Sequence, residues 1–262
     1  MADEPRRRHA RAAAAGDLQA QAHELRSLVR AGDLDPRRVE AAAALGLPAA
    51  QIASGIETAP GFLEHGVGLD LVARGDLGLL AWRAAERALH AHEQRRWRRP
   101  DVAIAQDEVV RQAAALLADP QDAEAAIDLE VGAHDLEDLL MSYSPAETNG
   151  PSWPLVYAAF ALVFAAQGDE PDALGDVLIE TVRDAARAAV AAHGALSLGG
   201  AEREEALQRS ELISLLLRTT RNTNPYRSAA GATTPRPQYL ERRRHVLEKG
   251  DGQTWWPPRS IN

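Results

Sequence analysis

Glu130, His134 and Asp138 follow one another at intervals of four residues. On an α-helix that spacing places all three side chains on one face. Glu86 and His90 are spaced the same way in a second helical stretch. Imidazole and carboxylate both ligate divalent metals, so two such helices side by side would have the chemistry for one ion. The plainer reading of each group is a half-exposed histidine paired with a neighbouring carboxylate, and no metal or cofactor is expected. His193, followed by Gly194, fits a place near a helix C-terminus, where the helix dipole favours a cation.

Most established catalytic patterns are missing from the 262 residues. There is no cysteine, which removes thiolate zinc sites, iron–sulfur clusters, disulfides and cysteine nucleophiles. No HExxH, Glu-x-x-His, P-loop, G-x-G-x-x-G or G-x-S-x-G sequence occurs. His134–Asp135 is similar to the dipeptide of the all-helical HD phosphohydrolases. That resemblance implies an upstream histidine (His90 or His92) and a downstream aspartate (Asp169, Asp172 or Asp184). It carries one alternative reading, a metal-dependent helical hydrolase built on His90, Glu130, His134 and Asp135.

The elements that would position these residues are helices. The chain holds fifty-two alanines, and alanine is the best helix former and a poor strand former. No stretch shows the alternating pattern of a strand. Capping residues, prolines and glycines predict helices over about 18–31, 37–45, 48–54, 62–73, 76–97, 106–118, 122–141, 152–167, 171–193, 201–221 and 238–249. Asp17, Asp76 and Ser152 are expected N-caps, and Asp35–Pro36 opens the second helix. In the helix 201–221 the apolar positions are Leu207, Leu212, Leu215 and Leu216. The expected fold class is all-α, an irregular multi-helix bundle or helical array with a non-helical C-terminal tail. Residues 1–221 would form one helical domain, with a subdivision near 100 left open. Residues 222–262 would add a loop, a short helix and a Pro/Trp tail.

The most apolar run, Leu155 to Ala166, has twelve residues, and a membrane span needs about twenty. It reads as a buried core helix, so no membrane association is expected. The arginines at positions 6, 7, 8 and 11 precede only Ala12–Ala15 before Gly16–Asp17. That is too short for the apolar region of a signal peptide, and a cytoplasmic location is expected.

Charge is segregated. The net charge is −9, with a single lysine, Lys249, among 29 basic residues. Residues 83–99 hold six arginines against Glu86 and Glu93, while residues 101–147 hold twelve carboxylates against Arg111 alone. From Ala201 onward eleven basic residues face seven acidic ones. The acidic helices either pack against the basic ones or present a solvated face. A third reading is a basic protein partner, steered by the acidic field. Such a surface repels phosphates, so nucleic acid is not an expected partner.

Trp153, Tyr157, Phe160 and Phe164 are spaced 4, 3 and 4 and make one helical stripe, for core packing or a ligand pocket. Trp82 and Trp97 flank the arginine-rich helix. Trp255–Trp256 in a proline-rich tail reads as an anchor on the chain's own surface, a peptide for a partner, or an arm exchanged in a homo-oligomer.

The segment from Val29 to Ala50, with Gly32–Asp33–Leu34, Arg38–Val39 and the alanine run before Leu45–Gly46, resembles the start of alanine-rich helical immunity proteins of GC-rich bacteria. Leu79–Leu80–Ala81–Trp82 stands where such proteins carry their next helix. The resemblance implies neutralisation of a toxin by binding, with no catalytic residues. The expected partner-binding residues are Asp128, Glu130, Asp135, Glu137 and Asp138, with Trp255 and Trp256. A structural or assembly protein with a C-terminal docking arm is the alternative beside the hydrolase.

Overall fold

The computed structural model describes residues 16–58, 66–92, 99–143, 150, 152–167 and 173–219. Nine α-helices and no strands occur among them: α1 Leu18–Arg30, α2 Pro36–Ala44, α3 Pro48–Ser54, α4 Arg74–His92, α5 Pro100–Ala118, α6 Ala123–Met141, α7 Ser152–Ala166, α8 Ala173–Gly194 and α9 Gly200–Leu216. The all-α class read from composition is the class observed.

Local chemistry sets most helix ends. Asp17 accepts from the backbone N–H groups of Gln19 and Ala20 at 2.9 and 3.2 Å. Asp35 and Asp122 cap α2 and α6 in the same way. At the end of α1, Gly32 donates to Val29 and Asp33 to Leu28, the paired closure of a Schellman motif. Gly32 has φ +74°, which a side chain would resist.

α9 ends at Leu216, short of the expected Arg221, and three further expectations need correction. Residues 66–73 do not form a helix. Gly66 and Gly68 take φ +61° and +81°, and only a 3-10 turn, Leu69–Leu71, lies beyond them. A Cβ on Gly68 would sit 3.0 Å from Ala41 Cβ and 3.1 Å from Leu216, so the backbone there closes onto α2 and α9. Secondly, α4 starts at Arg74, with Asp76 inside its first turn, where it accepts from Arg218 at 2.9 Å. Thirdly, α5 starts at Pro100, six residues before the expected Gln106. Proline is favoured at a first helical position because its missing N–H has no intrahelical role there. The expected helix 238–249 and the tail lie outside the described residues.

α7 is the centre. Leu155, Val156, Ala158, Ala159, Ala161 and Val163 are fully buried, and α4, α5, α6 and α8 all pack on this helix. The aromatic stripe occupies its least buried side. Trp153 stacks on Tyr157, and Phe160 on Phe164, all half-buried against the core. Gly78 of α4 lies against α7 so closely that a Cβ would stand 3.0 Å from Ala165 Cβ and 3.2 Å from the Ala161 carbonyl. One apolar core runs from Ala41 to Leu216 and crosses residue 100.

A smaller cluster joins α1, α2 and α3 through Leu25, Leu34, Val39, Ala42, Ala43, Ala49 and Ala50. Arg38 ties it to α9, donating to the carbonyls of Leu215 and Arg218 at 3.2 and 3.1 Å. The Leu215 carbonyl lies in the last turn of α9, where it also accepts from the Arg218 N–H at 3.3 Å, and the Arg218 carbonyl lies just beyond the helix, so the guanidinium clasps its C-terminal end.

Substituting Gly78→Val should force α4 and α7 apart and cost about 2 kcal/mol by overpacking. Gly175→Ala, with open space around its Cβ, should instead raise stability by a few tenths of a kcal/mol. Urea unfolding of the two variants tests this: both midpoints should move, in opposite directions, with unchanged slopes.

Candidate functional site

α4, α8 and α9 meet around a cleft of 630 Å³ lined by Arg83, Glu86, Arg87, His90, His193, Ser197, Arg203 and Leu207 among others. That volume is in the range of small-molecule sites. Its floor is the carboxylate of Glu204, 1% exposed. Arg87 engages Glu204 with two nitrogens, at 2.8 and 2.9 Å, and reaches Glu211 with the third at 2.9 Å. Gln208, also buried, donates to Glu204 at 2.9 Å and to the Ala186 carbonyl at 3.2 Å. A buried carboxylate is tolerated only with such partners.

Two further groups complete the cleft. His193 Nε2 stands 3.5 Å from Glu204 Oε2. Burial pushes the His193 imidazolium below its usual range; Glu204 opposes this, while Arg87 and Arg203 reinforce it. Glu86 is held by the Trp82 indole N–H at 2.9 Å. Burial raises its carboxyl to about 7, against the Trp82 hydrogen bond and the charges of Arg83 and Arg87. Burial also opposes the charge on Arg87, but Glu204 and Glu211 outweigh it and hold the guanidinium protonated.

Backbone geometry brings these side chains together. A Cβ on Gly200 would stand 2.3 Å from the His193 carbonyl, so only glycine lets α9 start against the end of α8. Gly199 precedes it at φ +72°. Arg203, one turn on, is fixed by the Gly199 carbonyl and Ser197 Oγ, each at 3.2 Å. Sequence reasoning placed His193 at a helix end but missed this network. The signal was present: Arg87 falls on the apolar register of α4 with Leu80 and Ala84, and Glu204 and Gln208 precede Leu212 and Leu215 at helical spacing. The expected apolar face of α9 holds at Leu212, Leu215 and Leu216, which are buried, and fails at Leu207. Leu207 is 50% exposed while Glu204 and Gln208 are buried, because Glu204 is the acceptor that Arg87 needs inside and Gln208 donates to it.

The acidic residues singled out from sequence lie on α6. Asp128, Asp135 and Asp138 are exposed, and Glu130 and Glu137 are half-exposed. Glu137 lies 3.5 Å from His134 Nδ1, and His134 sits edge-on to Phe160 at 4.7 Å. Arg111 feels Asp128 but hydrogen-bonds Glu108. α6 packs on α5 and α7, whereas the arginine-bearing α4 packs on α7, α8 and α9. Arg87 is spent on Glu204 and Glu211.

The hydrolase constellation is not assembled. His90 lines the cleft, Glu130, His134 and Asp135 belong to α6, and His92 is buried with Nε2 3.0 Å from the Ala192 carbonyl. Asp184 pairs with Arg187 at 3.3 Å. Among the described residues no group of three or more His, Asp or Glu is placed to hold a metal ion. Trp255, Trp256, Trp97, Asp169 and Asp172 lie outside the described residues. No described helix is long and apolar enough to cross a membrane. Comparison with family models, curated proteins and solved structures gives no match.

Two outcomes test the network. Glu86 binds its proton more tightly folded than unfolded, so its contribution is present at low pH and lost as pH rises from about 4.5 through about 7. Glu86→Gln should therefore equal the parent near pH 4 and exceed it by up to about 3 kcal/mol at pH 8, in denaturant titrations at both pH values. Arg87→Met, which strands the buried Glu204 charge, should cost about 3 kcal/mol at pH 7 by the same measurement.

Proposed function

We propose that this chain is a non-catalytic binding protein whose α6 face docks a basic protein partner. One observation carries the reading: Asp128, Glu130, Asp135 and Asp138 lie on the solvent side of α6, and among the described residues none forms an ion pair. Among the described residues, pairing with the chain's own arginines does not account for them, and the apolar residues between them distinguish a docking face from a merely solvated one. Ile127 and Val131, 60% and 53% exposed, lie among these carboxylates. Apolar groups inside a charged rim are the composition of a protein interface. Asp128, Val131, Asp135 and Asp138 follow at helical intervals of 3, 4 and 3, so one partner surface would meet all four.

The resemblance of residues 29–50 and 79–82 to immunity proteins agrees with this reading, and a cationic toxin is the corresponding partner. The acidic field would speed encounter and make binding salt-dependent. The cytoplasmic location belongs to the same proposal.

Replacing Asp128, Asp135 and Asp138 together with Asn should leave thermal stability unchanged or slightly raised, since like charges on successive turns repel. The same variant should lose most of the affinity for a basic protein that the parent retains at low salt and releases as salt rises. Quantitative affinity capture of parent and variant in parallel is the test. Equal retention by both, or no basic protein retained by the parent, overturns the reading.

A further inference from the structure

The cleft between α4, α8 and α9 is chemically separate from the acidic face of α6, and the proposed docking makes no use of it. Its shape and charge suit a small molecule. The floor is closed by the Arg87–Glu204–Gln208 network, which is internally satisfied at Glu204 and leaves that carboxylate no outward role. Cationic groups line the walls. Arg203 is held in place by Ser197 Oγ and the Gly199 carbonyl, acceptors that carry no net charge, so its positive charge is unspent. Arg83 makes no ion pair among the described residues and stands near Glu86. α9 also begins at the cleft, at Gly200, with no side-chain cap on its free N–H groups. Leu207, 50% exposed, and Ala91 supply an apolar surface beside these charges.

We propose that this cleft binds a small organic anion, a carboxylate or phosphate ester, with Arg83 and Arg203 on its charged group and Leu207 and Ala91 against its apolar part. A guanidinium offers paired N–H donors that match both oxyanions. The volume of 630 Å³ leaves room for a ring or short chain beside the charged group. Glu86, the one wall carboxylate, is held by Trp82 and does not compete for Arg83 while it is protonated. Arg203 is already held by the Gly199 carbonyl and Ser197 Oγ, so that half of the site is formed before any ligand arrives.

The test uses the full chain at pH 6.5 and three probes: phenyl phosphate, benzoate and uncharged benzyl alcohol. Calorimetry should show one-to-one binding of at least one anion and none of the alcohol. Amide shifts should localise to Ser197, Gly200 and Arg203. Arg83→Gln with Arg203→Gln should weaken the anion at least tenfold, and so should Leu207→Glu, which places a negative charge in the cleft while sparing both arginines. Arg187→Gln, on the exposed side of α8, should have no effect. Failure of both anions to bind at millimolar concentration overturns the proposal. So does equal binding of benzyl alcohol, or unchanged affinity in both cleft variants. None of these outcomes bears on the α6 docking reading.

Discussion

α7 has no charged side chain between Ser152 and Ala166, and the remainder of the fold is arranged to keep water from it. A helix that is apolar nearly all round is stable only when neighbours cover nearly all of it. α4, α5, α6 and α8 supply that cover. Alanine and glycine at the contacts bring the backbones close: Gly78 and Ala165 set the approach of α4, and Ala158, Ala159 and Ala161 are fully buried. Small residues carry little transfer energy individually. They allow close approach, and the large aliphatic residues at Leu129, Leu136, Leu155 and Leu178 then fill the remaining space.

The same arrangement separates the charges. The helices that flank α7 cannot exchange partners across it. α4, with Arg83 and Arg87, turns its polar side toward α8 and α9, and α6 turns its carboxylates toward solvent. The acidic and basic blocks are adjacent in sequence, yet they serve different surfaces. Arg87 closes a buried network with Glu204 and Glu211, while the α6 carboxylates stay at the solvent side.

That network is an unusual way to hold a helix. α9 could have docked through leucines alone, and a well-packed apolar contact is often at least as stable as a buried ion pair. Instead Glu204 and Gln208 occupy inward positions, and Leu207 is left at the cleft. Glu86 is kept nearby with its carboxyl raised to about 7, a cost in stability near and above neutral pH. The cleft thus gathers Glu86 and His193, both moved from their usual ranges mainly by burial. Arg203, held by the Gly199 carbonyl and Ser197 Oγ, fixes one positive charge at its wall.

The sequence by itself determined the helices, because their signals are local. Alanine content, Asp17 and Asp35 as caps, and Gly32 and Gly46 as stops act within a few residues of chain. The same locality explains the errors: a proline reads equally as a break or as a first helical residue, which is why the start of α5 was misplaced. The shared side of Asp128, Asp135 and Asp138 on α6 was likewise legible from helical period, but their exposure was not, since packing against the basic helices fitted the sequence equally. The cleft was not. Arg87 and Glu204 are 117 positions apart, and an ionised residue in an apolar register means burial only if its counter-charge arrives from another helix. Only the folding of α4, α8 and α9 around α7 brings those charges together, because desolvation forces each buried charge to find the other.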